Sequence, residues 1–378
     1  MDFTFSEEQQ AAVEAARAVF AGVAPDGVPS PALTAGAVAD DFDRTLWARL
    51  ADADLLSLLL DGEYGGAGLD AIALCLVLRE SAKVLARVPL LENTAAAVAV
   101  QTYGSAELKE ELLARTGRGE TVLTVAAHGR TGHDPADLAV VARQEGDTWV
   151  LEGTQTAVPW AYNADAVLLP AHTDDSGRAV LALVPRTHES AVLAEQLSTT
   201  GERLAELRLE SARIAGRYVL DTEGAWEWLR LLLTTGTCAL ALGLAEAALR
   251  MTSEYAGKRE QFGHPIATFQ AVAVQAADRY MDLRAMEATL WQAAWRITSG
   301  TAGALPAAGD VAVAKIWASD GVRRVVQTAQ HLHGGFGADT DYPLHRYHAW
   351  AKHLELSLGP AAAHEESLGD LLAAHPLG

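Results

Sequence analysis

His331-Leu332-His333-Gly334-Gly335-Phe336-Gly337, followed by Asp341-Tyr342-Pro343-Leu344-His345-Arg346, is the stretch on which the fold reading turns. Its paired glycines let a backbone come very close to something flat or phosphorylated, because neither carries a Cβ. Upstream lies a second cluster, Lys258-Arg259-Glu260-Gln261-Phe262-Gly263-His264-Pro265-Ile266-Ala267-Thr268-Phe269-Gln270, which closes one long helical pattern and opens another. A third, Glu63-Tyr64-Gly65-Gly66-Ala67-Gly68-Leu69-Asp70, is a glycine-rich turn near the N-terminus. Taken singly, each has a plain structural reading. An arginine at a helix end is a solvated C-terminal charge, a Gly-Gly pair is a turn, and the Glu63–Asp70 stretch is a connection between helices. Tyr342, Pro343 and Arg346 read as architectural, with the proline fixing a loop before the last helix.

Around these clusters the hydrophobic period changes twice. Residues 1–115 read helical: Ser6 and Gln9 form a capping-box pattern ahead of Ala11, Val13, Ala16, Val19 and Phe20. Apolar helical stretches continue through Leu46–Leu60 and Ala71–Leu85, with Pro25–Pro31 as a loop. Residues 116–220 carry short runs bounded by Gly, Asp and Pro: Thr121–Val125, Leu138–Arg143, Thr148–Gly153, Ala166–Pro170, Ala179–Pro185 and Ala205–Glu210. That spacing predicts an antiparallel sandwich or barrel. From 221 to 378 the helical period returns, with helices expected over Trp226–Tyr255, Phe269–Ser299, Pro306–Leu332 and Tyr342–Ala374.

Composition narrows the function classes. The 378 residues allow two or three domains, half of the residues are hydrophobic, and 29 basic against 49 acidic side chains leave a net charge of −20. Such a charge argues against a surface that tracks nucleic-acid phosphates. Cys75 and Cys238 sit in apolar helical runs without metal-ligand spacing, so buried thiols and a reducing cytoplasm are expected. The acidic and polar first twenty residues give no signal-peptide pattern, and no uncharged apolar run reaches spanning length. His128 and His133 lack a third ligand at a sensible spacing, and no metal site is expected.

Together the three glycine-bearing clusters resemble the acyl-CoA dehydrogenase family, and the order helical, β, helical agrees with it along the whole chain. The resemblance implies an α+β acyl-CoA dehydrogenase fold, with an N-terminal helical domain, a middle β-barrel or sandwich and a C-terminal four-helix bundle. It also implies FAD lying across a subunit interface, with Arg259 meeting the pyrophosphate, Phe262 flanking the flavin and Gln270 offering an amide hydrogen bond. Gln261, Ile266, His331, Gly334 and Gly335 complete the implied cofactor-binding set. His331 departs from the glutamine usual in the family.

The family's catalytic glutamate is missing. Where most members carry it in a Tyr-Glu-Gly-Thr run, this chain has Ser357-Leu358-Gly359-Pro360, and at the alternative position on the preceding long helix it has Leu233-Thr234. Glu227, Glu246, Glu254, Glu355, Glu365 and Glu366 are off register, and solvated faces are expected for them. The family's Thr-Glu-Pro-x-x-Gly-Ser-Asp loop and Ile-Thr-Asn strand are replaced by Ala127–Asp134 and Ala157-Val158-Pro159-Trp160-Ala161, with Trp160 read as a packed aromatic. Residues that would serve a neighbour's flavin are kept, while those that would serve the chain's own are lost. The chain thus resembles the non-catalytic partner subunit of α2β2 actinobacterial steroid acyl-CoA dehydrogenases, acting with a catalytic homologue on an acyl-CoA. Two alternatives stand beside this reading: a self-sufficient homo-oligomer with its base at Glu246 or Glu355, and a flavin-free acyl-CoA-binding scaffold.

Overall fold

The computed structural model describes residues 4–25, 37–131 and 135–376. His133 and the expected loop beyond Pro25 lie outside the described residues. The chain divides into two compact units: residues 1–19, 38–74 and 87–233, and residues 20–37, 75–86 and 234–378.

In the first unit the helices are α1 (Glu7–Phe20), α2 (Arg44–Asp52), the start of α3 (Ala71–Ala82), α4 (Leu90–Tyr103) and α5 (Ala106–Gly117). Ser6 and Gln9 form the expected capping box, with Gln9 N donating to Ser6 Oγ at 3.2 Å and Ser6 N to Gln9 Oε1 at 3.0 Å. Gln9 Nε2 also reaches the Asp70 carboxylate at 3.1 Å, and Asp70 Oδ1 caps α3 through Ala73 N at 3.0 Å. Asp43 and Ser105 cap α2 and α5 in the same way, each such cap being worth about 1 kcal/mol. In the glycine-rich turn before α3, a Cβ on Gly66 would lie 1.9 Å from Leu60 O, so only glycine fits there. α2 stops at Asp52, short of the expected Leu60, and Asp54 then takes a left-handed φ of 56°.

The strands of this unit are β1 (Leu123–Val125), β2 (Val140–Glu145), β3 (Thr148–Pro159), β4 (Ala166–Thr173), β5 (Ala179–Pro185), β6 (Ala191–Leu197), β7 (Arg203–Ala215) and β8 (Val219–Leu220). They form one sheet in the order β6-β7-β3-β2-β4-β5-β8, with β1 also paired to β4. It is mixed rather than purely antiparallel, because β1 and β2 both run parallel to β4, over Ala166–Leu168 and His172–Thr173. Pro170 lies between these two stretches of β4, where a missing N–H costs no ladder bond. One face packs Trp149, Leu151, Val167, Leu169, Leu207 and Ile214 into a core. Trp160, just after β3, has a left-handed φ of 58° and packs edge-on against Phe42 at 6.2 Å.

The second unit holds the end of α3, most of α6 (Ala225–Lys258), a two-stranded hairpin of β9 (Glu260–Gln261) and β10 (His264–Pro265), α7 (Gln270–Ser299), α8 (Ala307–His333), α9 (Leu344–Leu356) and α10 (Ala361–Ala374). α8 packs against α7, α9 and α10. A Cβ on Gly243 would lie 2.0 Å from Arg79 O, so α6 and α3 approach to backbone contact there. Among the described residues α6 is long and apolar enough to cross a membrane, and 83% of its most apolar window is buried within the protein. Cys75 and Cys238 are buried thiols.

The single helix expected over 342–374 is two helices. Leu358 and Gly359 both take positive φ, 57° and 99°, and Pro360 cannot continue a helical ladder. The end of α9 is held by Lys315, fully buried on α8, whose Nζ donates to Leu354 O at 2.9 Å, Glu355 O at 3.1 Å and Ser319 Oγ at 2.8 Å. Burial lowers the Lys315 pKa to about 8.

Candidate functional site

α6 ends at Lys258, and the chain turns back at once through the β9–β10 hairpin. Arg259 N donates to Tyr255 O at 2.8 Å, and Ile266 N closes the stem on Arg259 O at 2.8 Å. The two residues at the tip, Phe262 and Gly263, have φ of 54° and 78°, both positive as a two-residue hairpin turn of this kind requires. Glycine adopts this freely, whereas a phenylalanine there costs on the order of 1 kcal/mol. Phe262 is 91% exposed, and its ring lies edge-on to that of Phe269, with centroids 6.3 Å apart. Arg259 is exposed and makes no ion pair among the described residues. Gln261 is exposed, with its amide donating to Glu260 O, while Ile266 is half-buried. Gln270 opens α7, whose first turn has no side-chain cap.

α8 ends at the other cluster. Gly334, with φ 60° and ψ −140°, caps the helix by donating its N–H to Gln330 O and His331 O. That conformation belongs to glycine alone. Residues Gly334–Ala338 then make a tight 3-10 turn in place of a simple reverse turn. A Cβ at Gly334 or Gly335 would meet nothing within 4 Å, so the outer side of this turn is open. His331 is exposed on the last turn of α8.

Between the two clusters stands an aromatic array with no counterpart in the sequence reading. Tyr255 stacks on His333 at 4.3 Å and on Phe336 at 5.4 Å. Tyr342 closes the group at 4.5 Å from Phe336. His333 is 3% exposed; its Nδ1 lies 2.8 Å from Ala329 O and its Nε2 3.1 Å from Tyr342 Oη. Burial lowers its pKa, so the ring is neutral, with Nδ1–H donating to the carbonyl and Nε2 accepting from the tyrosine. Tyr255 falls four residues before Arg259, one helical turn away, which is the only signal the sequence offered.

Neither expected base position holds a carboxylate. Leu358 sits in the α9–α10 break, its carbonyl 2.9 Å from His364 Nε2, and Leu233 is buried in α6. Two of the off-register acids are not on solvated faces as expected. Glu246 is bound by Arg79 Nε at 2.9 Å with Lys83 at 3.4 Å, and Glu355 is bound by Lys352 at 2.6 Å.

Residues 6–120 match the description "Acyl-CoA dehydrogenase, N-terminal domain", and residues 234–372 match "Acyl-CoA dehydrogenase, C-terminal domain". The chain belongs to the acyl-CoA dehydrogenase family. This acyl-CoA dehydrogenase homologue is 41% identical over 342 residues to Acyl-CoA dehydrogenase FadE27 of Mycobacterium tuberculosis, covering 89% of this chain and 90% of that one. Among solved structures it resembles a chain of the ChsE4-ChsE5 complex from Mycobacterium tuberculosis, with TM-score 0.90, 36% identity and full coverage of both chains. It also resembles a chain of the Tcur3481-Tcur3483 steroid ACAD G363A variant, with TM-score 0.87 and 36% identity, covering 97% of this chain and 98% of that one.

Proposed function

We propose that this chain is a subunit of a heteromeric FAD-dependent acyl-CoA dehydrogenase that lacks its own catalytic glutamate and completes the flavin site of a catalytic homologue in an α2β2 assembly. The observation that carries the reading is the β9–β10 hairpin: it holds an aromatic ring 91% exposed at its tip, above an exposed arginine without an ion pair among the described residues. Exposing such a ring in a left-handed turn is unfavourable unless another surface covers it.

The residues fit a dinucleotide reaching in from outside. The Arg259 guanidinium would bind a pyrophosphate oxygen pair, for which its fork is suited. The open outer side of Gly334-Gly335 admits a phosphate or ribose to main-chain distance, and Phe262 offers an apolar face to a flavin ring. When bound, FAD supplies the hydride acceptor for α,β-dehydrogenation. This chain's own residues contribute binding and orientation and no proton transfer, since leucines stand at both base positions. A bulky acyl-CoA of the steroid side-chain class is the substrate we assign to the assembly, supported by the likeness to the steroid ACAD. The self-sufficient homo-oligomer is disfavoured by the ion pairs on Glu246 and Glu355. A flavin-free scaffold leaves the Arg259 and Gly334 clusters without a role.

The test is flavin content of the mixed assembly carrying Arg259→Ala together with Gly335→Val. Position 335 has open space and no positive φ, so the valine leaves the fold intact. Loss of flavin with the assembly preserved is expected; full flavin retention would overturn the cross-interface role.

A further inference from the structure

We propose that Tyr255 and His333 are positioning residues that lock the Arg259 hairpin and the Gly334-Gly335 turn into one flavin-contacting surface. The inference rests on the function proposed above and goes beyond it, because neither residue touches the cofactor in that account. The two segments lie far apart in the chain, and something must fix their separation if one dinucleotide is to span both.

The hairpin stem hangs from Tyr255, since Arg259 N bonds to Tyr255 O at 2.8 Å and Ile266 N to Arg259 O at 2.8 Å. The glycine turn starts at His333, the last residue of α8. The Tyr255 ring lies nearly parallel to both His333, at 23°, and Phe336, at 13°, so a single ring braces residues immediately before and within the turn. Tyr255 Oη adds a long hydrogen bond to His333 O at 3.5 Å. His333 is in turn fixed from two sides, by Ala329 O and by Tyr342 Oη. Each ring contact therefore holds one cluster against the other.

Tyr255 makes two such stacks, and losing both should weaken FAD binding roughly tenfold, about 1.4 kcal/mol. FAD affinity and thermal midpoint should be measured on the mixed assembly with Tyr255→Leu, Tyr255→Phe and His333→Asn. The leucine and asparagine variants should lose about tenfold in FAD affinity, whereas the phenylalanine variant, which keeps the stack, retains most of it. Wild-type affinity in Tyr255→Leu overturns the proposal, as does an equal loss in both Tyr255 variants that follows their thermal midpoints. Amide hydrogen exchange on the chain alone gives a reading independent of flavin. Tyr255→Leu should speed exchange at residues 259–266 and 334–338 together; release of only one segment overturns the coupling, whatever the flavin does. A wild-type assembly without flavin, by contrast, defeats the proposed function and leaves the exchange result to decide the coupling.

Discussion

Glu92 stands in the first turn of α4, in a helix that is otherwise buried from Leu90 to Val100. The residue keeps some surface, but its carboxyl end lies inside, where burial pushes the pKa up to about 7 against the weaker opposing pull of backbone and Trp160 hydrogen bonds. Folding therefore favours the protonated acid. The sign follows: this contribution is fully present below the unfolded carboxyl range near 4.5 and is lost as pH rises through about 7. Glu92→Gln keeps the shape and an acceptor for the indole while removing the titration. Urea unfolding at pH 5 and pH 8 should show the variant gaining on the wild type by roughly 1–3 kcal/mol between the two pH values. An unchanged difference would mean that the carboxyl is solvated. Nothing in the sequence marked Glu92, because its shift arises from burial beside a residue far away in the chain.

At the scale of elements, close approach of backbones decides more than propensity does. Gly243 lets α6 touch α3, and Gly243→Ala should cost about 2–3 kcal/mol in denaturant unfolding, since the clash is with the carbonyl of Arg79 and not with a movable side chain. Gly257, on the same helix, has nothing within 4 Å of a built Cβ, so Gly257→Ala should be neutral or stabilising by about 0.5–1 kcal/mol. Equal effects of the two substitutions would contradict the packing described. Elements with local signals were legible in the sequence: the Ser6–Gln9 capping box, β5 at both bounds, and α7 and α8 to within a residue or so, set off by Gly300 and Pro306. β6 was missed because Ala191–Leu197 is an edge strand with little burial and no strong apolar alternation. The α9–α10 break was marked in the sequence by Gly359-Pro360, but the apolar period on either side masked it.

For the whole molecule, the family and its fold were legible because the glycine clusters require particular backbone conformations, and a backbone requirement is local. The support for the candidate site was not legible, since the array of Tyr255, His333, Phe336 and Tyr342 gathers from three separate stretches. The proposed partner-subunit role rests on the leucines at 233 and 358 and on the exposed tip of the β9–β10 hairpin. Flavin stoichiometry and oligomeric mass, for the chain purified alone and then co-expressed with a catalytic homologue, test that claim most directly. The account predicts flavin only in the mixed assembly, at about one per pair of unlike chains, as sites formed across a two-fold interface imply. A homo-oligomer of this chain with full flavin occupancy would contradict it.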